Sequence, residues 1–322
     1  MRKWRRRIGL AVGGLAVAVV LAEGGARVVA PEHFLVHGPV DWVFDNADLL
    51  RGLITEDPEL GWMPRTGTWA YDEWGVRPGP HAEEKTTGVT RVLFLGDSVT
   101  RRGTVTGPLA DLWGTVDTEY VNGGVEAFNT VQEAAWFQRH CSHLDPDLVV
   151  LLFHPNDFSR TPLPVFDDEG RFLLLAQGDD PTRVWPWLFK RSALYRLGLV
   201  LGVGDSFARR LGNRDAVKRG LRDLRDAVES GGAEFRVGVL PLVSRWEDWG
   251  PVRRAGHAAA IQFMSDLGID HIDLGRPLEA LLDDGLPIGR LRERPHDPQH
   301  PSPELGRAMA ESLAAAWGRP GG

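Results

Sequence analysis

The feature that most constrains the fold is an alternation of two patterns that begins at Arg91. From there, short apolar or β-branched runs alternate with longer amphipathic stretches, which is typical of a parallel sheet covered by helices. The predicted strands are 91–96, 119–122, 147–153, 235–240 and 270–274, and the predicted helices are 130–143, 215–229, 252–267 and 303–317. Each gap between strands is long enough for the crossover that parallel strands need. The sequence therefore predicts a three-layer α/β/α domain with a central parallel sheet of about five strands, over residues 91–318.

Two further segments flank or interrupt this domain. Residues 31–90 are rich in Trp, Pro and Gly and show little periodicity, so we predict an extended segment that wraps the later domain. Residues 158–213 form the longest gap and contain the stretch WPWLF. We predict that this gap is an insertion or a lid beside the site.

Residues 1–30 have the order of a targeting segment. MRKWRRR is followed by IGLAVGGLAVAVVLA, fifteen residues without a charge, and a basic run before an apolar core fits either a cleaved signal peptide or a retained signal anchor. The apolar core alone is shorter than a spanning helix usually needs, but counting on to Ala30 reaches that length. We favour the retained anchor, and either alternative predicts that the bulk of the chain lies outside the cytoplasm.

Charge and cysteine content exclude several classes of protein. The formal charge is −7, and it is near −12 when the five basic residues of the N-terminal run are left out. An acidic body argues against nucleic acid as a partner, because phosphate binding needs clustered Lys and Arg. Cys141 is the only cysteine, so no disulfide forms within the chain. Neither the CxxC motif nor the HExxH motif of zinc sites occurs in the sequence.

The tripeptide Gly-Asp-Ser occurs twice, each time after an apolar run. RVLFLGDSVT, residues 91–100, places Ser98 directly after the first predicted strand, and LGLVLGVGDSFA, residues 197–208, repeats the tripeptide at Ser206. Ligands of open α/β sheets bind at the carboxyl ends of the strands, so Ser98 is well placed for chemistry. Ser206 lies in a glycine-containing, loosely amphipathic stretch and is the weaker candidate.

A serine hydroxyl needs a base, an orienting acid and an oxyanion site before it reacts as a nucleophile. The nucleophile elbow GxSxG is absent, but later segments supply the parts in another form. NGG at 122–124 offers glycine N–H groups, HPND at 154–157 offers the Asn156 carboxamide, and DPQH at 297–300 offers an aspartate and a histidine before the last helix.

In this order the four segments resemble the blocks of the SGNH, or GDSL-type, esterase and acyl-hydrolase superfamily. The resemblance covers about residues 91–317 and implies a flavodoxin-like sheet order, with no metal or cofactor. It implies Ser98 as nucleophile, His300 as general base and Asp297 as the residue that orients His300. The oxyanion would be held by the N–H groups of Ser98 and Gly124 and by the Asn156 side chain.

Two departures from the family pattern accompany this likeness. The leader segments DPELGWMPR, residues 57–65, and EWGVRPG, residues 73–79, resemble membrane-anchored bacterial members, but Glu73-Trp74 stands where those members have Asn-Ser. His154 occupies the usual glycine position of the third block, and we assign it no catalytic role.

The resemblance implies an extracytoplasmic serine esterase that cleaves a carboxylic ester through an acyl-enzyme on Ser98. The partners it implies are an ester substrate, which is a small molecule, an acylated glycan or a lipid, and the membrane through the N-terminal segment. Two alternatives remain open: an O-acetyltransferase of a polysaccharide or the cell envelope that uses the same triad, and a non-catalytic envelope protein that keeps the fold for binding.

Overall fold

The computed structural model describes residues 2–29, 53–57, 60–82, 84–158, 163–166, 172–176, 188, 191–195 and 213–321. The chain divides into two compact units. The first unit comprises residues 1–52 and 162–206, and the second comprises residues 53–161 and 207–322. Ser206 and most of the predicted insertion at 158–213 lie outside the described residues, as do residues 30–52 of the predicted targeting and wrapping segments.

The helices of the described residues range from five to 28 residues in length. In chain order the helices are α1 (Arg2–Val29), α2 (Ser98–Arg102), α3 (Thr106–Trp113), α4 (Thr130–Trp136), α5 (Arg214–Ser230), α6 (Pro251–Leu267), α7 (Gly275–Asp283) and α8 (Pro303–Trp317). The strands are β1 (Ile54–Asp57), β2 (Gly61–Pro64), β3 (Thr90–Gly96), β4 (Thr118–Asn122), β5 (Leu148–Phe153), β6 (Leu163–Phe166), β7 (Phe172–Ala176), β8 (Glu234–Val239) and β9 (Asp270–Asp273).

A five-stranded parallel sheet forms the centre of the second unit. Its strand order is β4-β3-β5-β8-β9, and each neighbouring pair is parallel. Numbered within the sheet, this is the order 2-1-3-4-5 of flavodoxin-like folds, in which the chain reverses direction between the first and third strands. The five predicted strands and the flavodoxin-like order are confirmed. The reversal places the ends of β3 and β5 side by side at the expected ligand crevice.

Helices cover both faces of this sheet. On one face Val92 and Phe94 of β3 and alternate residues of β5 pack against apolar side chains of α3, α7 and α8, among them Leu109, Leu278 and Met309. On the other face α4, α5 and α6 pack together and contact β3, β8 and β9. The strands of such a sheet are buried on both sides, which explains the unbroken apolar run Leu148–Phe153. The predicted three-layer architecture is confirmed.

The predicted helices agree with the structure, but three helices are additional. The prediction for 130–143 covers α4 and then a π turn, Phe137–Cys141, and a 3₁₀ turn, Ser142–Leu144. The additional helices are α2, α3 and α7, of five, eight and nine residues. They are too short to show the several turns of periodicity from which a helix is recognised in a sequence.

The segment before the sheet contains local pairing that the sequence pattern does not reveal. Strands β1 and β2 form an antiparallel hairpin. Trp62 of β2 is fully buried, and its indole N–H donates to the carbonyl of Glu126 at 3.0 Å. Further on, the Arg77 N–H donates to the carbonyl of Asn122 at 2.8 Å. This segment is thus attached to the loop that follows β4.

The first unit contains the helix α1 and the antiparallel hairpin of β6 and β7. The Glu23 carboxylate accepts the N–H groups of Ala193 and Leu194 at 2.9 and 3.0 Å and the Ser192 hydroxyl at 2.7 Å. None of the described helices combines the length and the apolar composition that crossing a membrane requires. The membrane anchor predicted within residues 1–30 is not confirmed.

Candidate active site

Ser98 lies where β3 passes directly into α2. Gly96 has a φ of 142°, a conformation that favours glycine, and an added Cβ would collide with the Thr100 side chain. Asp97 caps the helix, because its Oδ1 accepts the Val99 N–H at 2.9 Å. The tight turn leaves Ser98 as the first residue of the helix, with a residual exposure of 7%.

Ser98, His300 and Asp297 form a continuous chain of hydrogen bonds. Ser98 Oγ lies 2.8 Å from His300 Nε2, and His300 Nδ1 lies 2.6 Å from Asp297 Oδ2. A carboxylate only accepts, so Nδ1 carries the proton, and Nε2 is then the acceptor for the serine hydroxyl. This is the arrangement in which histidine removes the proton of a serine nucleophile.

The turn that carries Asp297 and His300 is held from both sides. Asp297 Oδ1 accepts the N–H groups of Gln299 and His300 at 2.9 and 3.3 Å, an Asx-type turn. The carbonyl of Pro298 accepts the Val243 N–H at 2.7 Å, which ties the turn to the loop after β8. Residues distant in sequence therefore meet at the carboxyl edge of the sheet.

Hydrogen bonding keeps Asp297 ionised. Partial burial on its own raises the pKa of Asp297, but the hydrogen bond and charge of His300 and the two backbone N–H groups outweigh burial and lower that pKa to about 2. Asp297 is therefore a carboxylate throughout the neutral range, as an acceptor for Nδ1–H requires.

Asn156 is connected by a hydrogen bond to Asp97, the residue that precedes Ser98. Its Nδ2 donates to Asp97 Oδ2 at 2.8 Å, and its side chain is buried. A carboxylate accepts hydrogen bonds and cannot donate them, so Asp97 selects the amino group of the carboxamide over its oxygen. The second Nδ2 hydrogen is left for another acceptor, which suits a donor to an oxyanion.

Gly124 lies against α2, where a Cβ would collide with the backbone of Thr100 and Arg101. Its N–H donates to Asn122 Oδ1 at 3.1 Å, so this bond must open or be shared before Gly124 can serve an oxyanion. The Ser98 N–H belongs to the first turn of α2, where N–H groups lack partners within the helix. The structure thus brings Ser98, Asp297 and His300 together directly, and Gly124 and Asn156 beside them.

His154 and Asp157 form the inner part of the turn that holds Asn156. His154 Nδ1 accepts the Asn156 N–H at 3.3 Å, and Asp157 Oδ2 accepts the His154 N–H at 2.9 Å. Burial lowers the pKa of His154, although the nearby Asp97 opposes this shift. A neutral His154 therefore positions the turn from inside the protein.

Two buried acidic residues close to the site, Asp97 and Glu133, are absent from the residues predicted from sequence. For Asp97 a signal exists, because an Asp or Ser between a strand and a helix is a typical N-cap. For Glu133 no such signal exists, because a glutamate in an amphipathic helix normally faces solvent, whereas this side chain is 1% exposed.

Among the residues that the structure describes, one group of side chains has the spacing of a metal site. Ligand atoms of Glu293, Asp297 and His300 lie within 4.8 Å of one another. His300 and Asp297 are hydrogen-bonded to each other, however, and Glu293 is paired with Arg102 of α2. These contacts satisfy the three side chains without an ion.

No protein-family model matches the sequence, and no curated protein matches it. Among solved structures the chain is similar to Axe2, an acetylxylan esterase from Geobacillus stearothermophilus, with 15% identity and a TM-score of 0.48 over 72% of this chain and 97% of that chain. It is also similar to LAE5, an alpha/beta hydrolase enzyme from the metagenome of Lake Arreo, with 14% identity and a TM-score of 0.49 over 70% and 94%.

A third similar structure is a putative GDSL-like lipase from Parabacteroides merdae, with 13% identity and a TM-score of 0.46 over 73% of this chain and 98% of that chain. Likenesses at these identities and TM-scores do not decide a family or an activity. The function has to be inferred from the side chains of the site.

Proposed function

We propose that this protein is a serine hydrolase that cleaves a carboxylic ester through an acyl-enzyme on Ser98. The observation that carries the proposal is the hydrogen-bonded chain from Ser98 Oγ to His300 Nε2, at 2.8 Å, and from His300 Nδ1 to Asp297 Oδ2, at 2.6 Å. A serine, a histidine and a carboxylate in this order are the parts that nucleophilic acyl transfer requires.

The first half of the reaction acylates the enzyme. Ser98 Oγ attacks the ester carbonyl while His300 Nε2 takes the hydroxyl proton, and the imidazolium is stabilised by the Asp297 carboxylate. The tetrahedral intermediate collapses when the bond to the alcohol oxygen breaks and His300 returns the proton to that oxygen. The alcohol leaves, and Ser98 carries the acyl group as an ester.

The second half repeats the chemistry with water. His300 removes a proton from a water molecule, which attacks the acyl-enzyme and releases the carboxylic acid and Ser98. In both halves negative charge develops on the former carbonyl oxygen. Asn156 Nδ2, the Ser98 N–H and the Gly124 N–H, once it is released from Asn122, are the donors that we assign to that oxygen.

The assay is hydrolysis of a short-chain aryl ester, combined with labelling by a fluorophosphonate probe. Ser98→Ala should abolish both turnover and labelling, because the nucleophile is removed. Ser206→Ala is the matched control, since it changes the serine of the other Gly-Asp-Ser tripeptide, and it should leave both signals intact. Normal turnover by the Ser98 variant would refute the assignment.

We also propose that the protein is exported and works outside the cytoplasm. The support is the order of residues 2–22, in which five basic side chains precede fifteen uncharged residues. Fractionation of cells that express the full chain, with sequencing of the N-terminus of the product, tests this. A soluble cytoplasmic product with an intact N-terminus would contradict it, whereas the presence or loss of α1 in an exported product distinguishes a retained anchor from a signal peptide.

A further inference from the structure

Three carboxyl groups and one histidine are buried close to one another, near the turn that carries Ser98. Asp97 follows β3, Glu133 lies in the first turn of α4, and His154 and Asp157 belong to the turn that follows β5. The four side chains are 0–1% exposed. Three ionised carboxylates in one buried region would repel each other strongly, since little water is present to screen them.

The hydrogen bonds of the three carboxyls differ. Asp97 accepts from Val99 N–H and Asn156 Nδ2, and Asp157 Oδ2 accepts from His154 N–H. Among the described residues, neither carboxyl oxygen of Glu133 has a hydrogen-bond partner. A buried carboxylate without a donor or a cation is strongly disfavoured, whereas a protonated carboxyl carries no charge that must be desolvated.

Within the described part of the chain, no positively charged group is found to act on Glu133. The buried residues of α5, which packs against α4, are Val217, Gly220, Leu221, Leu224 and Val228. On α4 itself, Gln132 uses its amide to donate to the carbonyl of Leu60 at 2.6 Å. The charged groups that act on Glu133 from the ends of β3 and β5 are Asp97 and Asp157, and both are acidic.

The pKa shifts of Glu133 and Asp157 also favour the protonated form of each carboxyl. Burial raises the pKa of Glu133 well above its ordinary value, and the negative charge of Asp97 raises it further. Burial also raises the pKa of Asp157, with Glu133 and Asp97 adding to the effect. The two oxygens of Asp97 both accept hydrogen bonds, from the Val99 N–H and from Asn156 Nδ2.

We propose that Glu133 is a positioning residue that carries a proton in the folded protein and so keeps Asp97 as the negative charge that holds the Asn156 side chain. This inference rests on the proposed esterase function. A second and third negative charge behind Asn156 would oppose the negative charge that forms on the substrate oxygen. A neutral Glu133 fills the same volume without that repulsion.

The decisive experiment compares Glu133→Gln with the wild-type chain in urea unfolding from pH 5.5 to 8.5, followed by tryptophan fluorescence. A carboxyl that is protonated when folded and ionised when unfolded contributes stability below its unfolded pKa, and this is lost as the pH rises toward its folded pKa. The wild-type folding constant should therefore fall tenfold per pH unit relative to that of the Gln variant. Asp157 is present in both proteins, so its contribution largely cancels.

Glu229→Gln is the matched control, because it makes the same exchange on α5 at a side chain that is 58% exposed. Its folding constant should keep a fixed ratio to wild type across this pH range. If the ratio of the Glu133→Gln folding constant to that of wild type is equally independent of pH, Glu133 is not protonated on folding, and the proposal is overturned. Infrared difference spectra give a second measurement, since the C=O band of a protonated carboxyl should be lost in Glu133→Gln.

The positioning role is tested by kcat for the aryl ester. Glu133→Gln is neutral and nearly isosteric, so its kcat at pH 7 should stay within about threefold of wild type. Where the unfolding data show Glu133 ionising in the folded state, wild-type kcat should decline and the variant's should not. A tenfold loss of kcat in Glu133→Gln would refute the positioning role. A wild-type kcat that stays constant while Glu133 ionises would also refute it. Absence of esterase activity in wild type would instead refute the proposed function and leave the unfolding result standing.

Discussion

Replacing Asp97 with asparagine changes one carboxyl oxygen to an amino group at the point that orients Asn156. In the wild type, Asp97 Oδ1 accepts the Val99 N–H at 2.9 Å and Oδ2 accepts Asn156 Nδ2 at 2.8 Å. Both side chains are buried. In Asp97→Asn the remaining oxygen is expected to keep the helix cap, which leaves an amino group facing the amino group of Asn156.

Two amino groups cannot hydrogen-bond, so the Asn156 carboxamide should turn and present its oxygen to residue 97. The Nδ2 hydrogen that we assign to the oxyanion then points elsewhere. Loss of one oxyanion donor costs a factor of about 10²–10³ in kcat, equivalent to about 3–4 kcal/mol. A hydrogen bond to a charged group contributes roughly 1.5–3 kcal/mol to stability, and the flipped amide recovers part of this. We expect a large fall in kcat and a loss of about 1 kcal/mol in stability.

The assay is a double-mutant cycle of Asp97→Asn and Asn156→Ala, with kcat and KM for the aryl ester and urea midpoints for each protein. If Asp97 acts through Asn156, the double variant should be little slower than either single variant, because both remove the same donor. Multiplicative losses in kcat would show that the two residues act independently. A kcat of Asp97→Asn within about threefold of wild type would refute the orienting role altogether.

Further predictions concern Asp297, Gly124 and Cys141. Asp297→Asn should lower kcat about 10⁴-fold by removing the acceptor that sets the imidazole tautomer. The pKa of Asp297 is lowered to about 2, so its carboxylate stabilises the fold above pH ~4, and this contribution is lost as the pH falls toward 2. In urea unfolding at pH 7, the wild type should be more stable than Asp297→Asn by about 1 kcal/mol, a figure that is discounted for the partial exposure of Asp297. Gly124→Ala should lower the free energy of unfolding by about 1–3 kcal/mol in the same assay, since the added Cβ would collide with the Thr100 backbone. Gly107→Ala in α3 is the control, because open space surrounds Gly107, and it should not destabilise the protein. Burial raises the pKa of Cys141, so its thiol should react with a disulfide reagent only on unfolding, and rapid reaction of the native protein would contradict the buried placement.

Much of the sheet could be predicted from the sequence, because each strand is a local run of apolar side chains that must be buried on both faces. The run Leu148–Phe153 needs no information from elsewhere in the chain to be recognised as a central strand. The short helices α2 and α3 could not be recognised in the same way, since each shows too little periodicity. The pairing of β1 with β2 could not be predicted either, because these two strands show no clear sequence pattern.

The candidate nucleophile and its partners were accessible from sequence for a related reason. Ser98 and Asn156 each follow a strand, and the carboxyl ends of parallel strands share one edge of the sheet. The motif order added Asp297 and His300, which the structure connects to Ser98 by hydrogen bonds. Residue types and their position relative to strands were sufficient to select these candidates.

Hydrogen-bond partners and burial were decided only by the tertiary structure. The sheet order brings β3 beside β5, and this contact places Asp97 within hydrogen-bonding distance of the Asn156 side chain. The packing of α4 against the rest of the domain buries Glu133. Whether the Gly124 N–H is free or donated to Asn122 likewise depends on a loop conformation that no local pattern specifies. The physical reason is that a carboxyl or an N–H group has the same chemistry everywhere in the sequence, while its charge state and its partner are set by the neighbours that folding brings to it.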